Sequence, residues 1–314
     1  MSKIRIATRG SALALAQADI VWELCRKLAP DQECEIKVIK TTGDKLQTAS
    51  LSDANLPKGL FTKELEVALL TNEAELAVHS LKDLPTELPS GLELAAVLER
   101  EDVRDVLICQ RDSPFARAGF RVRDLPQGAT VATSSTRRAA QLLDQRADLK
   151  IVPIRGNVPT RLRKLVQQPE IDAIILAAAG LTRLQMRPAS DGTLMGPDEI
   201  VTPGLVAALL PLDEMLPCVG QAAIGIETRA RDQTTADLCA GLNHEDTFRC
   251  VTAERAFLRA MGGGCQLAVA AFAEARGTDI TMRAVSFLSG EVRRGEATGT
   301  DPEKLGRDLA AKLS

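Results

Sequence analysis

The chain has 314 residues, 45% of them apolar and 26% charged, with a formal net charge of −3 and only two histidines. That length exceeds what one core commonly holds and points to two or three domains. The mild negative charge argues against a nucleic-acid partner, and His79 and His244 leave little material for a His-ligated metal site. Without a run of about 18 apolar residues, no membrane span is expected. Residues 1–6 enter a strand pattern with no signal-peptide core, so a cytoplasmic location is expected. The seven cysteines, Cys25, Cys34, Cys109, Cys218, Cys239, Cys250 and Cys265, lack zinc or redox-dithiol spacing and suit free thiols in a reducing compartment.

In chain order, the pattern predicts a strand over 4–8, a helix over 12–28 capped by Ser11 and stopped by Pro30, and a strand over 34–41. A helix over 62–70 and a short apolar strand over 76–79 follow. Strands this short and apolar belong in a parallel sheet covered by helices. After a junction near 99–104 the pattern repeats: strands over 105–109, 130–133, 151–154 and 172–177, with helices over 135–146 and 158–166. The Pro- and Gly-bearing stretch 187–203 reads as a return crossing. Beyond residue 219, helices over 232–242 and 245–261, strands over 268–272, 280–287 and 292–298, and a helix over 302–313 suggest a small α+β domain. The expectation is two α/β lobes around a hinged cleft plus a third domain. Residues 1–100 and 204–221 would form domain 1, 105–200 domain 2 and 222–314 domain 3.

Several strand-to-helix junctions carry groups suited to anions. Thr8-Arg9-Gly10-Ser11 brings a guanidinium, a hydroxyl and backbone N–H groups to one helix start, although alone it is equally an ordinary cap with a surface Arg. Thr133-Ser134-Ser135-Thr136-Arg137-Arg138 repeats the arrangement. Two cations in a first helical turn oppose the dipole, so an anion between them is expected. Arg155-Gly156-Asn157, with Arg161 one turn later, follows the next strand, and Arg183 can join the set. Arg is preferred where flat carboxylates are gripped by two parallel bonds, and the cluster favours a ligand with several carboxylates. From residue 121 to 164 ten Lys and Arg stand against three Asp, a local excess of seven.

His79-Ser80-Leu81-Lys82-Asp83-Leu84-Pro85 stands at the carboxyl end of a strand, the edge that holds reacting groups in open α/β sheets. Asp83 is either a surface partner of Lys82 or the one carboxylate able to steady a cation that develops during reaction. Gly262-Gly263-Gly264-Cys265-Gln266 closes a long helix. It is either a helix stop with an incidental Cys or a thiol given room for covalent attachment.

Together these segments resemble the porphobilinogen deaminase (hydroxymethylbilane synthase) family. The likeness runs from residue 4 to about 273 and includes Lys58-Gly59-Leu60-Phe61, Lys63-Glu64-Leu65-Glu66, Ala179-Gly180-Leu181 and Val219-Gly220-Gln221. It implies two lobes like type II periplasmic binding proteins, a small C-terminal domain, and a dipyrromethane cofactor in thioether linkage to Cys265. It also implies a cytoplasmic monomer with porphobilinogen as substrate, no metal, and neither nucleic acid nor membrane as partner. Asp83 matches the catalytic carboxylate. Lys82, Ser80, Ser11, Thr133, Ser135, Arg137, Arg138, Arg161 and Phe61 match cofactor contacts, and Arg9, Arg155, Arg183, Gln221 and Lys58 match substrate contacts. Two departures stand out: residues 52–57 read Ser-Asp-Ala-Asn-Leu-Pro where the family usually has a glycine pair, and Ala222 replaces a usual Gly. A non-enzymatic binder of small carboxylates would account for the arginines but not for Asp83 or Gly263-Gly264-Cys265. An effector-sensing domain of a transcription regulator would need a helix-turn-helix that neither end shows.

Overall fold

The computed structural model of the chain describes residues 3–42, 62–198, 200, 203–264 and 266–314. Strand β1 (Ile4–Arg9) buries Ile4, Ile6, Ala7 and Thr8, as a strand covered on both faces must. Helix α1 (Ala12–Leu28) starts where Ser11 Oγ accepts from the Ala14 N–H at 3.3 Å, and Arg26 and Lys27 occupy its last turn, where the dipole favours cations. β2 (Cys34–Ile39), α2 (Lys63–Leu70), β3 (Leu76–Ser80) and β4 (Leu92–Val97) follow. The next stretch holds β5 (Asp105–Gln110), β6 (Thr130–Ala132), α3 (Thr136–Gln145), β7 (Lys150–Val152), α4 (Val158–Gln167), β8 (Ala173–Ala177) and α5 (Ala178–Arg183). A two-residue ladder of β9 (Arg187–Pro188) and β10 (Leu194–Met195) leads to β11 (Leu205–Leu209). The chain ends with β12 (Ile224–Arg229), α6 (Gln233–Leu242), α7 (Glu245–Ala260), β13 (Val269–Arg276), β14 (Asp279–Ser286), β15 (Arg293–Gly299) and α8 (Pro302–Leu313).

The first sheet has the order β2-β1-β3-β12-β4 and the second β7-β6-β8-β5-β11. In each, the first three strands are parallel, as expected from the sequence. The fourth is antiparallel to both neighbours: Gly225 lies opposite His79 and Val97, and Leu107 opposite Ile175 and Ala208. Each such strand is the first one laid down after the chain leaves the other sheet. Its direction is therefore set by that crossing and not by a helix returning it to the same edge. The expected boundaries shift accordingly. Leu205–Leu209, expected in domain 1, pairs with β5 in the second sheet, and Ile224–Arg229, expected in domain 3, joins β3 to β4 in the first.

The chain divides into two units, one of Met1–Glu101, Cys218–Cys265 and Ala271–Ser314, the other of Asp102–Pro217 and Gln266–Ala270. In the first unit, one face of the sheet buries Ile4, Ile6, Val21, Val78, Ile226 and Leu238 under α1 and α6. The other face buries Ala7, Leu65, Leu69 and Ala77 under α2. Each fully buried Leu or Ile contributes about 2 kcal/mol. The second unit is centred on Leu107, Phe120, Val131, Leu142 and Ile175. The C-terminal antiparallel sheet β13-β14-β15 packs with α7 and α8, the α+β part expected from the sequence. Gly306 lets the two helices touch, since a Cβ there would come within 2.2 Å of the Ala253 carbonyl oxygen. Among the described residues no helix is long and apolar enough to cross a membrane.

Candidate active site

At the carboxyl end of β3 the chain makes one tight turn, Leu81–Asp83. Leu81 and Leu84 are buried against Val97, Ala223 and Val251, and the Leu81 N–H donates to the Ala223 carbonyl at 3.0 Å. Gly220, at φ +68°, backs the turn: a Cβ there would lie 3.3 Å from the Leu81 carbonyl carbon and the Lys82 nitrogen. Two leucines and a backbone bond thus fix the turn from below. Asp83 is exposed and Lys82 half-buried, and neither has a hydrogen-bond or ion-pair partner among the described residues. Ser80 Oγ accepts from Gln17 Nε2 at 2.9 Å and donates to Gln17 Oε1 at 3.0 Å, so its hydroxyl is already oriented. Arg9, half-buried, ends β1, and Ser11 caps α1.

Beneath the turn, His79 Nε2 lies 2.9 Å from Glu227 Oε2, both groups buried. Burial pushes the neighbouring Glu66 carboxyl up and Glu227 adds to this, while Thr62 Oγ1, donating to Glu66 Oε1 at 2.7 Å, opposes both. Gln221 is fully buried. Its carbonyl accepts from Arg100 Nε at 2.8 Å, and Arg100 also grips Glu254 through two bonds of 2.6 and 3.0 Å.

In the second unit, the Thr133 N–H donates to the Val152 carbonyl at 2.8 Å, and Thr133 Oγ1 accepts from the Ser135 N–H at 3.2 Å. Ser135 Oγ then caps α3 at the Arg138 N–H, 3.4 Å away. The anion demanded by two arginines in one helical turn is supplied by the protein itself. Arg137 Nη2 and Arg138 Nη2 each donate at 2.7 Å to one oxygen of Asp105, and the second Nη of each reaches a carbonyl, Leu216 at 2.6 Å and Ile175 at 2.9 Å. All three charged groups are buried. Burial alone would raise the Asp105 carboxyl, but Arg137 and then Arg138 override it and hold it well below the usual carboxylate range.

Asn157 Oδ1 caps α4 through the Thr160 N–H at 3.0 Å. Gly156 is required there: at φ +113° a Cβ would sit 2.6 Å from Thr160 Cγ2. Arg161 Nε donates to the Gly156 carbonyl at 2.8 Å. Arg155 is half-buried, its guanidinium has no partner among the described residues, and burial lowers its pKa. Arg183 ends α5, half-buried. Thr136 Oγ1 donates to the Gln266 carbonyl at 2.8 Å, which brings the residue after Cys265 to the start of α3.

In the first unit, α7 passes into Gly262, Gly263 and Gly264 at φ +105°, +60° and +128°, conformations that suit only glycine in series. Cys265, Lys58 and Phe61 lie outside the described residues. Burial pushes Cys25, Cys109 and Cys239 up to about 12 and Cys250 up to about 11, so these thiols are poor nucleophiles. Asp105, Glu227 and Glu254 escaped the sequence reading. Only Asp105 carried a signal, as an acid opening an otherwise apolar strand. The guanidinium set, with Arg155 lacking a side-chain partner among the described residues, fits a polycarboxylate such as dipyrromethane.

A family model described as porphobilinogen deaminase, dipyromethane cofactor binding domain, matches residues 4–237, and one described as porphobilinogen deaminase, C-terminal domain, matches residues 248–314. A curated porphobilinogen deaminase of Syntrophomonas wolfei is 45% identical over 100% of this chain and 95% of its own length. That of Moorella thermoacetica is 44% identical over 100% and 93%. Among solved structures, the periplasmic aliphatic sulphonate binding protein SsuA from Escherichia coli has a TM-score of 0.40 at 15% identity, covering 83% of this chain and 71% of its own. The benzoate-bound effector domain of BenM has a TM-score of 0.41 at 14% identity, covering 76% and 87%. Likenesses that distant say nothing about the chemistry.

Proposed function

Because the chain belongs to the porphobilinogen deaminase family, we propose that it is a transferase that deaminates porphobilinogen and joins four units head to tail into linear hydroxymethylbilane, for tetrapyrrole synthesis. The dipyrromethane cofactor, when bound as a thioether to Cys265, supplies the tether and the free pyrrole carbon on which the chain grows. Each substrate brings an acetate, a propionate and an aminomethyl group. Loss of ammonia leaves a methylene-pyrrolenine cation on the incoming unit.

The observation that carries the reading is Asp83, an exposed carboxylate without a partner among the described residues, on a turn held rigidly from beneath. Such a group is free to accept pyrrole N–H bonds, to offset the positive charge as it forms, and to move a proton between the attacked carbon and the departing amine. Fixing the carboxylate beforehand means little reorganisation accompanies the reaction. Lys82 on the same segment and Ser11 at the neighbouring helix start would hold cofactor carboxylates, with Ser80 a further cofactor contact and Phe61 a ring stacking over the cofactor. In the second unit Arg137, Arg138, Arg161, Thr133 and Ser135 would do the same, and Arg9, Arg155, Arg183 and Lys58 would bind substrate; Gln221, matched to a substrate contact by the resemblance, is fully buried and would support the site from behind. Arg155 is suited to this because its guanidinium has no partner among the described residues. We further propose a cytoplasmic monomer, a reading that rests on the family resemblance and is checked by light scattering.

Intact mass tests the tether: the purified protein should exceed its sequence mass by two porphobilinogen units less two ammonia. With porphobilinogen, product should give a pink-red colour with Ehrlich's aldehyde in acid. An unmodified Cys265 in active protein would overturn the cofactor reading. A fall in turnover of less than about tenfold in Asp83→Ala, roughly 1.4 kcal/mol, would remove Asp83 from the centre of the mechanism.

A further inference from the structure

Helix α7 delivers the chain to Gly262–Gly264 and Cys265, and one of its buried residues reaches across to the segment that follows Asp83. Arg255 is 8% exposed. Its Nη1 donates to the Leu84 carbonyl at 3.2 Å and its Nη2 to the Pro85 carbonyl at 2.6 Å. No carboxylate is bonded to it among the described residues, and burial, with Arg259 adding, pushes its pKa down to about 10. Placing an ion there costs free energy that an aliphatic side chain would avoid. What only Arg supplies at this position is a planar fork that reaches two successive carbonyls.

Two further contacts join α7 and its exit to the same segment, all within one unit. The adjacent Glu254 accepts from the Gly220 N–H at 2.8 Å, and Gly220 lies against the Leu81–Lys82 peptide. On the far side, a Cβ on Gly263 would stand 3.4 Å from Thr86 Oγ1, so the glycine loop runs alongside residue 86. The turn bearing Asp83 is thus held on both flanks by the helix that leads to Cys265.

We propose that Arg255 is a positioning residue: its fork on the Leu84 and Pro85 carbonyls fixes the Asp83 carboxylate relative to the loop that carries the Cys265 tether. The inference rests on the assignment of Asp83 as the catalytic carboxylate. It applies before any cofactor is attached, because every contact is protein to protein.

The test compares the holoenzyme with Arg255→Lys, which keeps the charge but has no fork, and Arg255→Met, which removes the charge. Intact mass reports tether loading, and hydrogen exchange reports the Leu84 amide that closes the turn. In Arg255→Lys the tether should remain, exchange of the Leu84 amide, which donates to the Leu81 carbonyl at 3.1 Å, should quicken at least tenfold, and exchange in β3 and α7 should hold. Turnover, kcat, should fall about ten- to a hundredfold while KM for porphobilinogen stays within about threefold. The split matters because a residue that only stabilised the fold would lower the fraction of active protein and leave exchange at Leu84 no worse than elsewhere. Unchanged exchange, or a fall in turnover without quickened exchange, overturns the proposal. If Arg255→Met does not fold, Arg255→Lys decides alone. Normal turnover in Asp83→Asn sinks the catalytic reading and the clamp's purpose with it, whereas an inactive Asp83→Asn beside unchanged exchange in Arg255→Lys sinks only the clamp.

Discussion

The carboxyl ends of β3 and β6 handle charge in opposite ways. After β6, Arg137 and Arg138 are buried around Asp105, each bond at 2.7 Å, so the protein supplies a carboxylate to both guanidiniums from within. After β3, Asp83 stands exposed with no partner among the described residues, on a turn whose apolar side chains are buried. The first arrangement suits an anion that stays for the whole reaction, since its cost of organisation is met when the protein folds. The second suits a charge that appears and disappears, which a carboxylate already in an ion pair could not answer.

Breaking the compensated end should have the largest effect. Asp105→Asn leaves two buried guanidiniums without their counter-ion and should lower stability by about 3–5 kcal/mol, measured by urea denaturation. The pH dependence sharpens the point. Asp105 is held below its unfolded value of about 4, so its contribution is present above that pH and fades as pH falls through the folded value. Denaturation at pH 7 and pH 3 should therefore show a steeper acid loss in the wild type than in Asp105→Asn.

Asp83→Asn probes the other end. Turnover should fall about a hundred- to a thousandfold, the loss typical of removing one group that stabilises developing charge. Stability should change by less than about 0.5 kcal/mol because the side chain is exposed. A variant that loses both in proportion would erase the distinction between the two ends. A smaller effect is expected from Ser135→Ala, which removes the cap of the helix bearing both arginines: about 1 kcal/mol by thermal unfolding. The smallest belongs to Ala222, which sits at φ +71° beside the carbonyl of Ala223 that anchors Leu81. An L-residue is strained there, so Ala222→Gly should raise stability by about 0.5–1 kcal/mol, read as an increase in Tm.

Local features of the chain were legible without coordinates. Ser11, Ser135 and the Asn157 segment mark helix starts because a cap bonds a backbone N–H only two or three residues away. Helix 12–28 and the short strands of each β/α repeat followed from periodicity in the same local way. The arginine cluster and Asp83 could be singled out as residue types at strand ends, but their partners could not. β11 is an apolar run without a period of its own and β12 mixes apolar with charged residues, and their sheets are decided by pairing with strands 95 to 150 residues away. Asp105 meets Arg137 and Arg138 over 32 and 33 residues, and Arg255 meets Leu84 over 171. Sequence by itself determined the elements, their caps and the kinds of charge at each strand end, because those depend on neighbours a few bonds away. Which charges cancel, which stay available, and which helix steadies the reacting carboxylate were decided only by tertiary structure, since burial and opposite charge act through space.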